Sequence, residues 1–321
     1  MRYFSELVTF ITLLAVSLGT NVLFYATLEN TMPHIHNFFL ITLFLWFTLK
    51  WHDHPSWKNS FFFGVVTGLI TLVRPFDAII VLFFIFFNVY NFKTLGNKIS
   101  FFLSKWPYIL LIVVTGILVL FPQFLYWKKA TGHWFYYTYG VSGGSFYFDN
   151  PQIINGLFSF RKGWLIYTPV MIFALSGMFF IRKQMKTYFF SVVVFFVILL
   201  YFLFSWWSWW YGGGLSIRSL VEFYPVFSIP LALAIKNVLT LKKYAVKMAI
   251  GLVFLFFCFL GFFYNLQYDK GILHYDSMTK EAYKAIFLKL KYPPDYRELL
   301  CKPDYEKARQ GIYICRPLDK K

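Results

Sequence analysis

Residues 187–205 read Thr-Tyr-Phe-Phe-Ser-Val-Val-Val-Phe-Phe-Val-Ile-Leu-Leu-Tyr-Phe-Leu-Phe-Ser and contain no charged side chain. A helix of this length rises about 28 Å, which matches the ~30 Å hydrocarbon core of a bilayer. Eight other apolar stretches lie at 7–26, 35–51, 59–73, 78–90, 107–125, 163–181, 221–239 and 244–264. The sequence therefore predicts an all-α polytopic membrane domain of about nine transmembrane helices over 1–264, and a small C-terminal tail over 265–321.

The composition excludes an ordinary soluble protein. Of the 321 residues, 59% are hydrophobic and only 14% are charged, whereas soluble domains average about 25% charged residues. A net charge of +17 is typical of nucleic-acid-binding proteins, but membrane proteins also collect basic residues in their cytoplasmic loops. We therefore expect a lipid bilayer as partner and no nucleic acid.

The distribution of basic residues predicts the orientation. The third and fourth stretches are joined only by Arg74-Pro75-Phe76-Asp77 and can form either two helices or one kinked helix. With two helices and a cytoplasmic N-terminus, thirteen basic residues lie on the inner side and six on the outer side. One kinked helix leaves eight inside and ten outside. The positive-inside rule favours two helices, which makes the tail external.

Aromatic residues cluster at the predicted outer ends of the helices, at Tyr126-Trp127, Trp134 to Tyr139 and Trp206 to Tyr211. Rings with a polar edge are enriched at the depth of the lipid head groups. We expect these clusters to anchor the protein in the interface rather than to stack on a ligand.

The tail carries two structural signals. Cys301 and Cys315 lie in an oxidising compartment if the tail is external, and they can form a disulfide or remain free thiols. Residues 278–291 show the i, i+3, i+4, i+7 apolar spacing of an amphipathic helix, which can lie on the membrane or cap the membrane domain.

Polar residues near the membrane are costly and therefore form the shortlist for function. Glu29, with His34 and His36, can accept a proton, help to hold a divalent ion, or belong to a solvated loop. Arg74 and Asp77 can form a local ion pair. Arg161 and Lys162 lie at an outer boundary against the positive-inside trend and can hold a lipid phosphate.

The segment Ser-Trp-Trp-Ser-Trp-Trp-Tyr-Gly-Gly-Gly-Leu-Ser-Ile-Arg-Ser-Leu-Val-Glu-Phe-Tyr-Pro, residues 205–225, is the richest in polar signals. Its three glycines allow close approach of the backbone. Arg218 then enters the next helix with Glu222 four residues later, a spacing at which the carboxylate can orient the guanidinium. Arg218 is either a phosphate ligand or part of a structural ion pair.

The order of these motifs resembles a known family. The motifs are Tyr25-Ala-x-x-Glu29, Leu72-Val-Arg-Pro75, Pro122-Gln-x-x-Tyr126 before Thr131-Gly132, Lys162-Gly-x-x-x-Tyr-Thr-Pro169 and Trp209-Trp-Tyr-Gly-Gly-Gly-x-x-x-Arg218. Over about 20–240 they resemble membrane glycosyltransferases of the GT-C superfamily, family 39-like. The look-alikes are bacterial relatives of dolichyl-phosphate-mannose-protein mannosyltransferases and lipid A aminoarabinose transferases.

This resemblance implies transfer of a sugar from a polyprenyl-phosphate donor to an acceptor hydroxyl, on the outer face of the bacterial inner membrane. The acceptor would be an envelope glycan, lipid or protein, and a divalent cation is possible without being indicated. By this resemblance, Arg218 and Arg161 or Lys162 would contact the phosphate, and Glu29 and Arg74 would line the cavity. We further predict Glu29 as the catalytic base, and substrate or phosphate binding by Arg74, His34, Gln123, Tyr211 and Glu222.

The chain departs from the family at its N-terminal end. Its first helix resembles the family's third span, so the first two spans and the principal acidic pair of the first outer loop have no counterpart here. Two other functions therefore remain open: a catalytically inactive subunit that binds lipid-linked sugars, or a flippase or transporter of these lipids. A transporter would need charged residues in the middle of its helices.

Overall fold

The computed structural model of the protein describes residues 3–137 and 144–318. The chain is 69% helical with few strands, which confirms the all-α prediction. Thr138 and Tyr139, which belong to the second predicted aromatic cluster, and the chain ends at 1–2 and 319–321 lie outside the described residues.

The helices of the predicted membrane domain are α1 (Glu6–Leu18), α2 (Val22–Thr27), α3 (Pro33–Asp53), α4 (Trp57–Val73), α5 (Val81–Phe86), α6 (Phe92–Ser104), α7 (Trp106–Thr131), α8 (Ile153–Phe158), α9 (Trp164–Tyr167), α10 (Met171–Gln184), α11 (Phe189–Ser205), α12 (Tyr224–Leu239) and α13 (Tyr244–Asp269).

Four helical stretches in the described part of the chain are long and apolar enough to cross a membrane. They are Trp106–Thr131, Lys186–Ser205, Arg218–Leu239 and Tyr244–Asp269. The stretch that contains α12 is mostly buried by protein, whereas α7 and α13 are mostly exposed. These helices have the length and composition of membrane spans, the stretch with α12 is the most buried of the four, and the count of nine spans remains a prediction.

The third and fourth predicted helices are separate. Helix α4 ends at Val73, a 3-10 helix covers Pro75–Ile80, and α5 follows. Arg74 between them is extended, with φ −148° and ψ 109°, because a residue before proline is excluded from the helical region. This break places the Arg74 side chain at the end of α4, where it can reach other elements.

Glycines allow the helices to pack closely. A Cβ on Gly64 would lie 1.8 Å from Thr115 Oγ1 of α7, and one on Gly68 would lie 2.8 Å from the Gly116 carbonyl oxygen. Small residues at such crossings let helix backbones approach in membranes, where packing replaces the hydrophobic drive. Helix α7 is therefore held mainly through its contact with α4.

The tail forms a small folded unit of short helices and two paired strands. It contains α14 (Lys280–Ile286), a 3-10 helix at Tyr296–Leu299, β1 (Cys301–Pro303), α15 (Tyr305–Ala308) and β2 (Cys315–Pro317). The strands pair antiparallel, and Cys301 and Cys315 form a disulfide with a Cα–Cα distance of 5.5 Å. The pairing explains how two cysteines fourteen residues apart meet.

The amphipathic helix predicted over 278–291 is shorter in the structure, so the predicted bounds are wrong. Helix α14 ends at Ile286, and Leu288 has a left-handed φ of 54°. The side chain of Gln267 on α13 donates hydrogen bonds to the carbonyl oxygens of Ile286 and Lys289, at 2.8 and 2.7 Å. These contacts tie the segment to the end of α13, so it caps the membrane domain.

The prediction that the aromatic cluster at Trp206 to Tyr211 anchors the protein in the membrane interface is wrong. Trp207, Trp209 and Trp210 are buried, and the Trp210 ring packs edge-on against Tyr305 of the tail, with centroids 5.6 Å apart. The tail covers these rings and removes them from lipid. Tyr126 and Trp134 remain largely exposed, as interfacial anchors would be.

Candidate functional site

Three side chains from distant parts of the sequence meet at one end of the bundle. The Arg74 guanidinium donates to Glu222 Oε1, and His34 Nδ1 lies 2.9 Å from Glu222 Oε2. Arg74 Nη2 also lies 3.3 Å from Ser219 Oγ. We refer to His34, Arg74, Ser219 and Glu222 as the Arg74–Glu222 cluster. It unites three residues, His34, Arg74 and Glu222, that are predicted from the sequence to bind substrate or phosphate.

Local structure explains how the cluster forms. His34 lies in the first turn of α3, where Pro33 fixes the helix start. Arg74 follows α4, and Glu222 lies in the 3-10 helix Arg218–Phe223 ahead of α12. Glu222 is completely buried, while 17% of the Arg74 side chain is exposed. A carboxylate buried in this way requires a cationic partner, which Arg74 supplies.

Asp77 and Asn37 form a second polar layer beside the cluster. The Asn37 amide donates to Asp77 Oδ2 at 2.5 Å, while Asp77 Oδ1 lies 4.0 Å from Arg74 Nη1. The predicted Arg74–Asp77 ion pair is therefore present at the limit of contact, and the main partner of Arg74 is Glu222. Sequence reasoning missed Asn37, although a lone amide one turn after His34 on an apolar helix was a usable signal.

The glycine-rich loop packs against Tyr25. Gly214 has φ +136°, and a Cβ there would lie 2.5 Å from Tyr25 Oη. The Leu215 amide donates to the same Tyr25 oxygen at 3.0 Å. Lys162, which is buried, donates from Nζ to the Gly214 carbonyl oxygen. The third glycine is thus required both by its conformation and by the space that Tyr25 occupies.

Arg218, like Arg161 and Lys162, donates to a backbone carbonyl oxygen rather than to a carboxylate within the described residues. Its guanidinium donates to the Gly213 carbonyl oxygen at 3.2 Å, and within the described residues it forms no ion pair with a carboxylate. Of the two alternatives for Arg218, the ion pair with Glu222 is not formed within the described residues. Arg218–Phe223 is a 3-10 helix, in which residues i and i+3 eclipse, so a residue at i+4 points elsewhere.

Glu29 lies close to the same region. Its side chain is partly buried, and Oε2 is buried without a hydrogen-bond partner among the described residues. Glu29 and Arg218 both act electrostatically on Tyr25, Lys162 and Tyr268. An unpaired carboxylate and an unpaired guanidinium therefore border one common set of side chains.

Arg161 and Lys162, the two cations just before α9, form hydrogen bonds with backbone carbonyl oxygens of the protein. Burial lowers the pKa of Lys162 to about 7, with Asp276 acting against this effect. Burial also lowers the pKa of Arg161, whose Nη1 donates to the Asp276 carbonyl oxygen at 2.7 Å. Arg161 therefore fastens the tail, and Lys162 fastens the glycine loop.

The remaining predicted residues divide between the site and its surroundings. Tyr211 donates to the Leu203 carbonyl oxygen at 2.8 Å and lies in the electrostatic range of Arg74 and Glu222. Gln123 lies on α7 and makes no side-chain hydrogen bond with any described residue. His36 contacts the Asn30 carbonyl oxygen at 3.1 Å, while His34 faces Glu222, so the suggested ion site of Glu29, His34 and His36 is not assembled.

The arrangement separates fixed charges from available ones. Arg74 and Glu222 neutralise each other, whereas Arg218 and Glu29 keep free hydrogen-bonding capacity. A free guanidinium binds phosphate oxygens well, and a free carboxylate can accept a proton. Both are chemically competent for an anionic substrate with a reacting hydroxyl.

The chain has no significant match to a protein-family model, to a curated protein or to a solved structure. The function of the chain must therefore be inferred from its own side chains, among which Arg218 and Glu29 keep free hydrogen-bonding capacity.

Proposed function

We propose that the protein is a membrane glycosyltransferase that transfers a sugar from a polyprenyl-phosphate donor to an acceptor hydroxyl. The observation that supports it best is Arg218, a guanidinium without a carboxylate partner among the described residues, which acts on Tyr25, Lys162 and Tyr268 together with the partly buried Glu29. A cation in this state is free to bind the phosphate of the donor. We place the reaction on the outer face of a bacterial inner membrane, as the charge distribution and the motif order suggest.

In the proposed reaction, Glu29 accepts the proton of the acceptor hydroxyl. The acceptor oxygen then forms a bond to the anomeric carbon, and the bond between that carbon and the phosphate oxygen breaks. The products are the glycosylated acceptor and polyprenyl phosphate. Arg218 stabilises the negative charge that grows on the leaving phosphate, which is the largest electrostatic demand of such a step.

The Arg74–Glu222 cluster has a positioning role in this proposal. It joins α3, the end of α4 and the 3-10 helix that carries Arg218. Because Glu222 is fully buried, it cannot reach an acceptor without breaking the cluster. The carboxylate proposed as base is therefore Glu29.

A catalytically inactive subunit that binds the same donor is the second candidate. The observation that favours it is the burial of Asp77 and Glu222, which leaves Glu29 without a second accessible carboxylate in the polar residues around the cluster. Such a subunit would keep Arg218 for the phosphate and release no product.

Turnover separates the two candidates. The full chain is purified and mixed with radioactive polyprenyl-phosphate hexose or pentose and a bacterial envelope extract, and the release of polyprenyl phosphate is measured. We expect turnover by the unchanged chain, with a loss of about 100-fold or more in Glu29→Gln because general-base catalysis contributes 10²–10⁴-fold. Asp149→Asn, an exposed carboxylate of the outer loop, is the matched control. Donor binding without turnover supports the inactive subunit.

A further inference from the structure

The opposite end of the bundle contains a polar pocket that the proposed reaction does not use. Its volume is about 370 Å³, and His52, Asn88, Tyr90, Asn97, Lys98 and Thr187 are among the residues that line it. His52 lies eighteen residues after His34 on α3, so at 1.5 Å per residue the pocket is about 27 Å from the Arg74–Glu222 cluster. The predicted orientation makes this the cytoplasmic side.

A buried cation forms the inner wall of this pocket. Lys98 is only 6% exposed; its Nζ donates to the Phe87 carbonyl oxygen at 2.9 Å and contacts His52 Nε2. The ammonium also lies 4.5 Å from the centre of the Phe102 ring. Within the described residues it has no ion pair with a carboxylate. Burial lowers the pKa of Lys98 to about 7, and a bound anion would restore its charge.

The rest of the lining offers hydrogen-bond donors and no acid. Asn88, Asn97 and Tyr90 make no side-chain hydrogen bond to any described residue, and no Asp or Glu lines the pocket. Asp53, exposed at the end of α3, acts electrostatically on His52 but does not line the pocket. Lys186 Nζ lies 5.1 Å from the centre of the Tyr90 ring. The donor groups and the positive charge favour an oxyanion.

Helix α6 places the pocket at the depth of lipid head groups. It carries Lys98 and Asn97, and its opposite side exposes Phe92, Ile99 and Leu103 at 94%, 54% and 68%. Their spacing of seven and four residues forms one apolar stripe. An amphipathic helix of this kind lies in the membrane interface with its stripe toward the acyl chains. The polar side, with the pocket, then meets the phosphate layer.

We propose that this pocket binds a phosphate group through Lys98 and the side-chain donors around it. The group comes either from an anionic lipid of the adjacent leaflet or from a soluble phosphate compound. The position of α6 favours the lipid. This site does not depend on the proposed reaction at the other end of the bundle.

The test uses the full chain, purified in detergent and freed of bound lipid. Binding of dioctanoyl phosphatidic acid is compared with that of dioctanoylglycerol, which lacks the phosphate, and inorganic phosphate is added as a competitor. We expect phosphatidic acid to bind and dioctanoylglycerol to bind at least about tenfold more weakly, as loss of a charged hydrogen bond implies. Competition by millimolar phosphate identifies a soluble ligand, and its absence identifies the lipid head group.

Two variants identify the site. Lys98→Gln removes the buried charge, and Asn97→Asp adds a repelling carboxylate at an exposed position, where substitutions usually change stability little. Each should weaken phosphatidic acid binding at least about tenfold, whereas Lys93→Gln, an exposed lysine of the same helix, should change it less than about twofold. Equal affinity for the two lipids, or unchanged affinity in Asn97→Asp, would overturn the proposal.

Discussion

Arg74 and Glu222, 148 residues apart in sequence, form a buried ion pair that joins the end of α4 to the 3-10 helix before α12. The pair is completed by His34 from the first turn of α3. The start of α3, the end of α4 and the 3-10 helix are therefore held by one carboxylate. This contact fixes the segment in which Arg218 lies.

Breaking this pair should destabilise the protein more than removing both partners. Arg74→Ala leaves Glu222 as a buried charge without its cation, which costs about 3–5 kcal/mol. The double variant Arg74→Met with Glu222→Leu should regain most of that loss, because it leaves neither charge. Unfolding in detergent, followed by tryptophan fluorescence, measures both, with Arg297→Ala as the exposed control. Equal stability of Arg74→Ala and the control would reject a structural role for the pair.

The third glycine of the loop should be far less replaceable than the second. Gly214→Ala forces a Cβ into a left-handed φ and against Tyr25 Oη, at a cost of about 1–3 kcal/mol. Gly213→Ala meets its nearest atom at 3.6 Å and should cost less than about 1 kcal/mol. Thermal unfolding of the two variants decides the matter. Similar losses for both would show that the contact with Tyr25 is unimportant.

The disulfide of the tail predicts a specific labelling pattern. In intact cells, a membrane-impermeant maleimide should modify Cys301 and Cys315 only after reduction, because both thiols are joined. Cys258 lies half-buried in α13, and Cys258→Ala removes it as a background signal. Loss of the bond in Cys301→Ser should destabilise the tail by about 3 kcal/mol, the value for a loop of about fifteen residues. Labelling of both cysteines without reduction would disprove the bond, and no labelling even after reduction would contradict the external location.

Lys162 should make stability depend on pH in a defined direction. Its pKa is about 7 in the folded protein and about 10.4 in an unfolded chain. Between these values the unfolded chain binds more protons, so the free energy of unfolding rises with pH. From pH 7 to 9, Lys162 should raise the free energy of unfolding by roughly 2 kcal/mol. The Lys162→Met variant should lose this part of the pH dependence of the free energy of unfolding, while the part that comes from Lys98 remains. Identical slopes in the two proteins would contradict the burial of Lys162.

The sequence predicted the helical class and the break at Arg74, because apolar length and a proline act locally. It could not predict which carboxylate Arg74 contacts, since the partner lies in a distant element. The Arg218–Glu222 ion pair, one of two alternatives that the spacing left open, does not form, because the segment is a 3-10 helix and not an α-helix.

The structure of the tail explains two further differences between the sequence predictions and the fold. Trp207 and Trp210 have the composition of a membrane belt, but they are covered by Tyr305 and its neighbours, which pattern alone does not reveal. The apolar spacing after residue 278 continued past Ile286, yet the chain turns at Leu288 with φ 54° to reach the disulfide-linked strands. Contacts formed over long sequence distances decided both cases.

Donor binding is the most direct test of the proposed function. The affinity of the purified chain for a radioactive polyprenyl-phosphate sugar is compared in the unchanged protein, in Arg218→Ala, in Arg218→Lys and in the matched control Arg297→Ala. We predict that Arg218→Ala weakens binding by about tenfold or more, that Arg218→Lys restores part of it, and that Arg297→Ala has no effect. No binding by the unchanged chain, or equal affinity in Arg218→Ala, would contradict the proposal.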